Sequence, residues 1–257
     1  MTNRGGRVRS LVAAHLRLAI GPLRRLAFLS LLFASVAHAQ PTGAELLSDW
    51  REGWREASQG VASVTVRETL DRTVDGPRGD IEMRTEGRLR FPLDRPPQRE
   101  IDRQELDGRR VTPLARRRFE ARTNRAFGPA ARTLLRPAPL AGRALASATA
   151  EGPAIRTQMS ATPAWRIALR LPGVDGDATA WLSREPTPRL LRLRIEESVD
   201  RQARVVYEAD YRRVSGLDVP TDLRTTVTLR QRRRLREYVV SLHARGTYRT
   251  PEVVRER

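Results

Sequence analysis

The last third of the chain, Leu190 to Pro251, constrains the fold most strongly because apolar residues there alternate with polar and charged ones. Successive side chains of a strand point to opposite faces of a sheet. The pattern therefore predicts four antiparallel strands with one apolar face and one charged face in water. The residues assigned to the apolar face are Leu191, Leu193 and Ile195; Val205, Tyr207, Ala209 and Tyr211; Leu223, Val227 and Leu229; and Tyr238, Val240 and Leu242.

The segment before this sheet begins with a helix and continues into strands. Thr42 and Glu45 have the spacing of a capping box, and the apolar residues up to Gln59 recur at helical spacing, with Gly60 placed to end the helix. Period-two alternation then predicts strands at Val61–Leu70 and Ile81–Phe91 and an edge strand at Gln98–Leu106. The apolar stripe of the helix is Leu46, Leu47, Trp50, Trp54 and Ala57.

Residues 112–149 differ in character and form a predicted helical insertion. Thr112-Pro113 is a helix start, residues 114–127 should be helical, and the Ala-, Leu- and Pro-rich residues 130–150 predict one or two short helices or a lid. Strands resume at Ile155 and include 165–171 and 178–183. The order is thus a helix, three strands, helices, and six or seven strands. It indicates an α+β protein with a curved sheet or a barrel.

The first 39 residues have the layout of a secretory signal peptide. A basic start without acids precedes the apolar run Leu26–Val36, and Ala37-His38-Ala39 is a small-x-small cleavage site. The apolar run has about 11 residues, whereas a membrane-spanning helix needs about 20, so a cleaved signal is favoured over an anchor. We expect cleavage between Ala39 and Gln40, a periplasmic protein, and no transmembrane segment in the mature chain.

Charge and composition restrict the partners. The chain has 48 basic residues, all arginine, against 30 acidic ones, and no cysteine. The predicted signal contains six of the arginines and no acid, so the remainder keeps an excess of 12 positive charges. This balance fits an anionic lipid or an acidic partner, whereas export argues against nucleic acid. Without cysteine there is no disulfide and no thiolate metal ligand.

The residues needed for familiar catalytic sites are missing from the sequence after residue 39. His243 is the one histidine there, and its parity predicts an exposed position without a partner. One histidine provides neither a nucleophilic triad nor a usual zinc site, and no Walker loop or GxGxxG motif occurs. The carboxylates Glu196, Glu197, Glu208 and Asp210 are expected to pair with arginines across strands. We therefore predict a non-enzyme without cofactor or metal.

Two late motifs are specific enough for comparison with a known family: Pro188-Arg189-Leu190-Leu191-Arg192-Leu193 and Tyr207-x-x-Asp210-Tyr211-x-x-Val214-x-Gly216-Leu217-x-Val219-Pro220. They resemble the LolA-like periplasmic lipoprotein carriers. The opening helix that runs into a Val- and Thr-rich strand is similar as well. The resemblance implies a single half-barrel domain over residues 40–257, an incomplete and strongly curved antiparallel β-barrel whose helices plug the concave face. The insertion at residues 112–149 corresponds to that plug.

This resemblance and the apolar sheet face together predict a binding protein that holds a lipid or a lipoprotein acyl chain for transport or sorting. The alternative is a regulatory or interaction module with a filled core and a basic partner-binding surface. The arginine-rich run Arg230–Arg236 is either a solvated hairpin tip or a contact for anionic headgroups or an acidic protein. The residues predicted to line the hydrophobic cavity are Met83, Leu89, Trp165, Ile167, Leu169, Leu193, Tyr207, Ala209, Leu223, Tyr238 and Val240.

Overall fold

A computed structural model describes residues 40–75, 80–127, 138–198, 203–233 and 236–256. The predicted signal segment 1–39, with Ala39 of its cleavage site, lies outside the described residues. So do residues 128–137 of the predicted insertion and residues 234 and 235 of the arginine-rich run.

Three helices and eleven strands make up the described chain. The helices are α1 (Gly43–Ser58), α2 (Pro113–Phe127) and α3 (Ala141–Leu145). The first strands are β1 (Val61–Asp75), β2 (Ile81–Pro92), β3 (Gln98–Leu106) and β4 (Arg109–Arg110). They are followed by β5 (Thr149–Met159), β6 (Thr162–Arg170), β7 (Gly176–Ser183), β8 (Leu190–Ser198), β9 (Ala203–Val214), β10 (Leu217–Arg233) and β11 (Arg236–Arg255). The order of elements predicted from the sequence is confirmed.

All eleven strands belong to one sheet in which each neighbouring pair is antiparallel. Their order is β4-β3-β2-β1-β11-β10-β9-β8-β7-β6-β5. The crossover in this order joins β1 to β11, which pair over most of their length, from Val61 opposite Arg255 to Asp75 opposite Ser241. The outermost strands of the described sheet, β4 and β5, are not paired with each other, so the sheet is open.

Helix α1 starts and stops where the sequence predicts. The Thr42 hydroxyl accepts a hydrogen bond from the Glu45 N–H at 3.1 Å, and the Glu45 carboxylate accepts from the Thr42 N–H at 2.8 Å. The hydrogen bond from the Thr42 backbone lowers the pKa of Glu45. Gly60, with φ of 65°, follows the helix in the left-handed conformation that glycine adopts without steric cost. The capping box is therefore confirmed.

One parity assignment is wrong. Leu191 was expected on the apolar face with Leu193, but Leu190 is the fully buried residue and Leu191 is only half-buried. The cause is a β-bulge, because Leu182 pairs with Leu190 while its neighbour Trp181 pairs with Arg192. The extra residue shifts the alternation by one position. The assigned parity of β9, from Val205 to Tyr211, is confirmed.

The boundaries of the insertion also differ from expectation. Strand β5 begins at Thr149 rather than Ile155, because a register shift between Glu151 and Ile155 interrupts the alternation on which the prediction rested. The predicted start of α2 is confirmed, since the Thr112 hydroxyl accepts from the Ala115 N–H at 3.3 Å. Strand β3 lies at the edge of the described sheet over most of its length, as expected, and the two residues of β4 pair only with its end at Glu105 and Leu106.

The charged face of the sheet carries the expected ion pairs. Asp210 lies 2.5 Å from Arg192 and 3.0 Å from Arg224, and Glu208 contacts the same two arginines. His243 is exposed, as predicted, but it is not without a partner. Its Nε2 lies 3.3 Å from Asp75, and its Nδ1 lies 3.2 Å from the Thr226 hydroxyl.

The apolar face is buried in two clusters. The larger one joins α1, α3 and the segment around residues 138–148 to β1, β2 and β5–β10, with Tyr248 of β11. The smaller one lies farther along the long strands and contains Leu70, Ala203, Val205, Val227, Leu229, Val240, Leu242 and Ala244. Helices α1 and α3 and the segment before α3 therefore cover the part of the apolar face that forms the larger cluster.

Candidate functional site

An apolar cavity of about 660 Å³ lies between this covering layer and the sheet. Pockets of about 300–1,000 Å³ are typical of small-molecule sites. On the covering side it is lined by Trp54 and Ser58 of α1 and by Pro139, Leu140, Gly142, Arg143 and Ala146 around α3. On the sheet side it is lined by Phe91, Pro92, Leu93, Pro97, Val174, Ile195, Glu197, Val205 and Tyr207.

The covering helices meet at one close contact beside the cavity. A Cβ atom added to Gly142 of α3 would lie 2.0 Å from Cε2 and Nε1 of Trp54, so only glycine leaves room for the indole. The indole in turn stacks on Trp50, with ring centroids 5.8 Å apart. This stack fixes Trp54 as one wall of the cavity.

A buried carboxylate anchors α1 to the sheet. Asp218, which has no exposed surface, accepts hydrogen bonds from Trp50 Nε1 at 2.7 Å, the Leu190 N–H at 2.8 Å and Arg213 Nε at 3.2 Å. Burial raises the pKa of Asp218, and these hydrogen bonds act in the opposite direction. The carboxylate therefore links α1, β8 and the β9–β10 hairpin and positions the tryptophan stack.

Three buried tyrosines lie beside the cavity. Tyr211 donates a hydrogen bond to the Pro139 carbonyl at 3.2 Å, and the Tyr248 hydroxyl accepts one from the Ala138 N–H at 3.1 Å. The Tyr207 hydroxyl is buried beside Tyr211 but has no hydrogen bond of good geometry within the described chain. Burial raises the pKa of all three tyrosines, so their hydroxyls keep their protons at neutral pH. The segment before α3 is thus pinned to the sheet through its backbone.

Ionisable groups at the cavity are few. Of its lining residues, Arg143 is exposed and donates to the Arg95 carbonyl, and Glu197 is half-buried. Among the described residues, no group of three histidines or carboxylates is placed to hold a metal ion. The cavity therefore offers apolar surface with two charges of opposite sign, which suits an amphiphilic ligand.

The predicted cavity residues take different places in the structure. Tyr207 lines the cavity. Seven others belong to the same buried cluster without lining it: Leu89, Trp165, Ile167, Leu169, Leu193, Ala209 and Leu223. Met83 is buried near Arg72, Val240 lies in the smaller cluster, and the side chain of Tyr238 lies outside the described residues. Contact of these residues with a ligand stays a prediction.

Sequence reasoning missed the covering side of the cavity and its anchor. Strand parity identifies an apolar face but not the part of it that the helices leave uncovered. Trp54 was available from the tryptophan stripe, whereas Pro139, Leu140 and Gly142 lie in a segment without a clear period. Asp218 occupies the variable position of the Gly-Leu-x-Val-Pro motif. The structure buries it completely, and the sequence pattern does not indicate this burial.

The comparisons with known proteins include a distant structural match. No family model and no curated protein matches the chain. Among solved structures, a crystal structure described as an outer membrane lipoprotein-sorting protein domain from Vibrio parahaemolyticus matches with 9% identity and a TM-score of 0.38. The match covers 80% of this chain and 91% of that one. So low a TM-score and identity carry no argument about what this chain binds.

A helix needs about 20 mainly apolar residues to cross a bilayer. In the described ranges, every helix is too short or too polar to span a membrane.

Proposed function

We propose that this chain is a non-enzymatic periplasmic binding protein that holds an acyl chain of a lipid or lipoprotein in the apolar cavity. The observation that carries the proposal is the unfilled, mainly apolar space of about 660 Å³ beside Trp54 and Leu140. The predicted signal peptide supports the location. The sheet would curve around the ligand as an incomplete barrel, with the helices as its plug.

The energetics are adequate for such a ligand. Burial of each methylene contributes about 0.8 kcal/mol, so about twelve buried methylenes contribute about 10 kcal/mol. Association and ordering cost at least about 4 kcal/mol. The remaining free energy of about 6 kcal/mol corresponds to a Kd of tens of micromolar. Such an affinity allows loading and release without a chemical step.

The lining suggests how the ligand would lie. The acyl chain would contact Trp54, Phe91 and Val205, and its polar end would lie toward Arg143 and Glu197. Release would follow from movement of α3, because this helix covers the cavity and has only five residues.

A cavity-filling substitution tests the proposal. Ile195→Trp places a large ring in the cavity, whereas the control Ile155→Trp places the same ring on β5, where the isoleucine is 46% exposed. In titrations with a fluorescent fatty acid, we expect the first variant to lose binding at least tenfold and the second to bind as wild type, with both melting cooperatively. Wild-type protein that binds neither the probe nor a co-purified lipid would refute the proposal and favour the interaction module.

A further inference from the structure

We propose that the charged face of the sheet docks on an anionic phospholipid bilayer through a row of three arginines. Arg88 of β2 lies directly opposite Arg67 of β1, and Arg67 lies directly opposite Arg249 of β11. Directly opposite residues point to the same face, and all three side chains are exposed. Neighbouring strands are about 4.8 Å apart, so the backbones of the three arginines lie within about 10 Å.

The row departs from the charge pattern of the same face. Four residues farther along β1, the row alternates in sign from Glu105 through Arg84 and Asp71 to Arg245, and Arg84 lies 3.8 Å from Asp71. The next residue of that row, Arg224, is positive but forms ion pairs with Glu208 and Asp210. By contrast, Arg67, Arg88 and Arg249 make no ion pair within the described residues. The nearest acid in register is Glu100, opposite Arg88, and it is not within ion-pair distance.

Three like charges side by side oppose folding of the sheet. Like charges directly opposite each other on neighbouring strands destabilise the pair, so local packing does not account for the row. An external anion would remove the repulsion. Guanidinium groups suit phosphate in particular, because they donate two parallel hydrogen bonds and lose hydration more readily than an ammonium group.

The surroundings favour a bilayer over a protein partner. Arginine is common at protein interfaces, but there it accompanies buried aromatic anchors such as tryptophan and tyrosine. The exposed large apolar residues of the described chain are Leu114, Ile155, Val239 and Val254, and none is a member of the row. Along the strands, the positions that flank the row on this face are Thr65, Thr69, Thr247, Glu86, Arg90 and Glu252, and none of them is an apolar anchor. The overall positive charge adds long-range attraction to an anionic surface.

The docked orientation leaves the cavity free. The arginines alternate along their strands with buried residues of the opposite face, such as Val66 and Leu89 next to Arg67 and Arg88. The charged face therefore points away from the covered apolar face. Docking through this row does not depend on what the cavity holds.

Vesicle co-sedimentation with the purified protein tests this inference. The vesicles contain phosphatidylglycerol in phosphatidylethanolamine, with phosphatidylcholine vesicles for comparison. The test variant is R67Q/R88Q/R249Q, and the matched control R84Q/R170Q/R194Q removes three exposed, ion-paired arginines. Near an anionic surface each arginine contributes about 1 kcal/mol. We therefore expect the test variant to lose about 100-fold in affinity and the control less than about tenfold.

A second readout separates binding from folding. Because the row is repulsive, the test variant should melt at the same temperature as wild type or higher at low ionic strength, and its fatty-acid binding should be unchanged. Equal losses for both variants, a lower melting temperature of the test variant, or no vesicle binding by wild type would each overturn the proposal. So would full competition by millimolar inorganic phosphate, because it would identify a free anion as the ligand.

Discussion

Replacing Asp218 by alanine removes the anchor that holds α1 on the sheet. Its carboxylate accepts three hydrogen bonds, from Trp50, Leu190 and Arg213, and has no exposed surface. In the variant, the Trp50 indole N–H and the Leu190 backbone N–H lose their acceptor. Water cannot replace it, because Trp50 is 1% exposed and Leu190 is fully buried. Arg213 retains the Pro188 carbonyl at 2.7 Å as an acceptor. The hydrogen bonds that are lost without replacement are therefore those of α1 and β8.

The expected cost follows from these contacts. Each buried donor without a partner costs about 1–3 kcal/mol, so two cost about 2–6 kcal/mol. The burial that raises the pKa of Asp218 also penalises its charge, and removal of the carboxylate returns part of that energy. We expect a net loss of about 3 kcal/mol in the free energy of unfolding. For a domain of this size, that lowers Tm by about 6–12 °C.

Urea and thermal unfolding, followed by circular dichroism, measure this loss. The variant Asp218→Asn is the matched control, because its amide oxygen can still accept from Trp50 and Leu190, and we expect it to lose about half as much. The exposed Asp177→Ala should change the free energy of unfolding by less than about 0.5 kcal/mol. Since α1 carries Trp54, fatty-acid binding by Asp218→Ala should weaken as well. Stability of Asp218→Ala within 1 kcal/mol of wild type would refute the anchoring role.

Two further substitutions test the packing around the site. Gly142→Ala should displace the Trp54 indole and cost about 1–3 kcal/mol, with weaker fatty-acid binding in the folded protein. Unchanged probe affinity would contradict this contact. Arg99→Ala removes the partner of Glu68, which lies 2.5 Å away with its side chain 2% exposed, and should cost about 3–5 kcal/mol in urea unfolding. The control on the same strand, Arg103→Ala, removes a 63% exposed arginine and should cost at most about 1 kcal/mol, so equal losses would argue against a buried pair at Glu68.

Features that depend on neighbouring residues could be predicted from the sequence. The capping box at Thr42 and Glu45 needs only two residues at fixed spacing, and the alternation in β9 directly reflects the two faces of a strand. The prediction failed where an extra residue enters a strand. Leu191 and Ile155, the predicted start of β5, both lie at register shifts, which depend on the partner strand and not on local sequence.

The cavity was harder to predict because it is the space left when distant elements pack. Ala209 is a clear case. Its small side chain between Tyr207 and Tyr211 indicates room for a ligand, but Leu193 and Leu223 pair with it from the two neighbouring strands and it is fully buried. The large residues around it fill that room. The unfilled volume lies instead beside Ile195 and Val205, where the helices determine its limits.

The pairing of β1 with β11 has a consequence for the order in which the chain can fold. Residue 61 meets residue 255, so the centre of the sheet forms only when segments nearly 200 residues apart come together. Such distant pairing slows folding. During synthesis, the strands up to β10 would expose the edge of β1 until β11 emerged. If the chain is exported as we propose, slow pairing of β1 with β11 would lengthen the time for which it stays unfolded and able to cross the inner membrane.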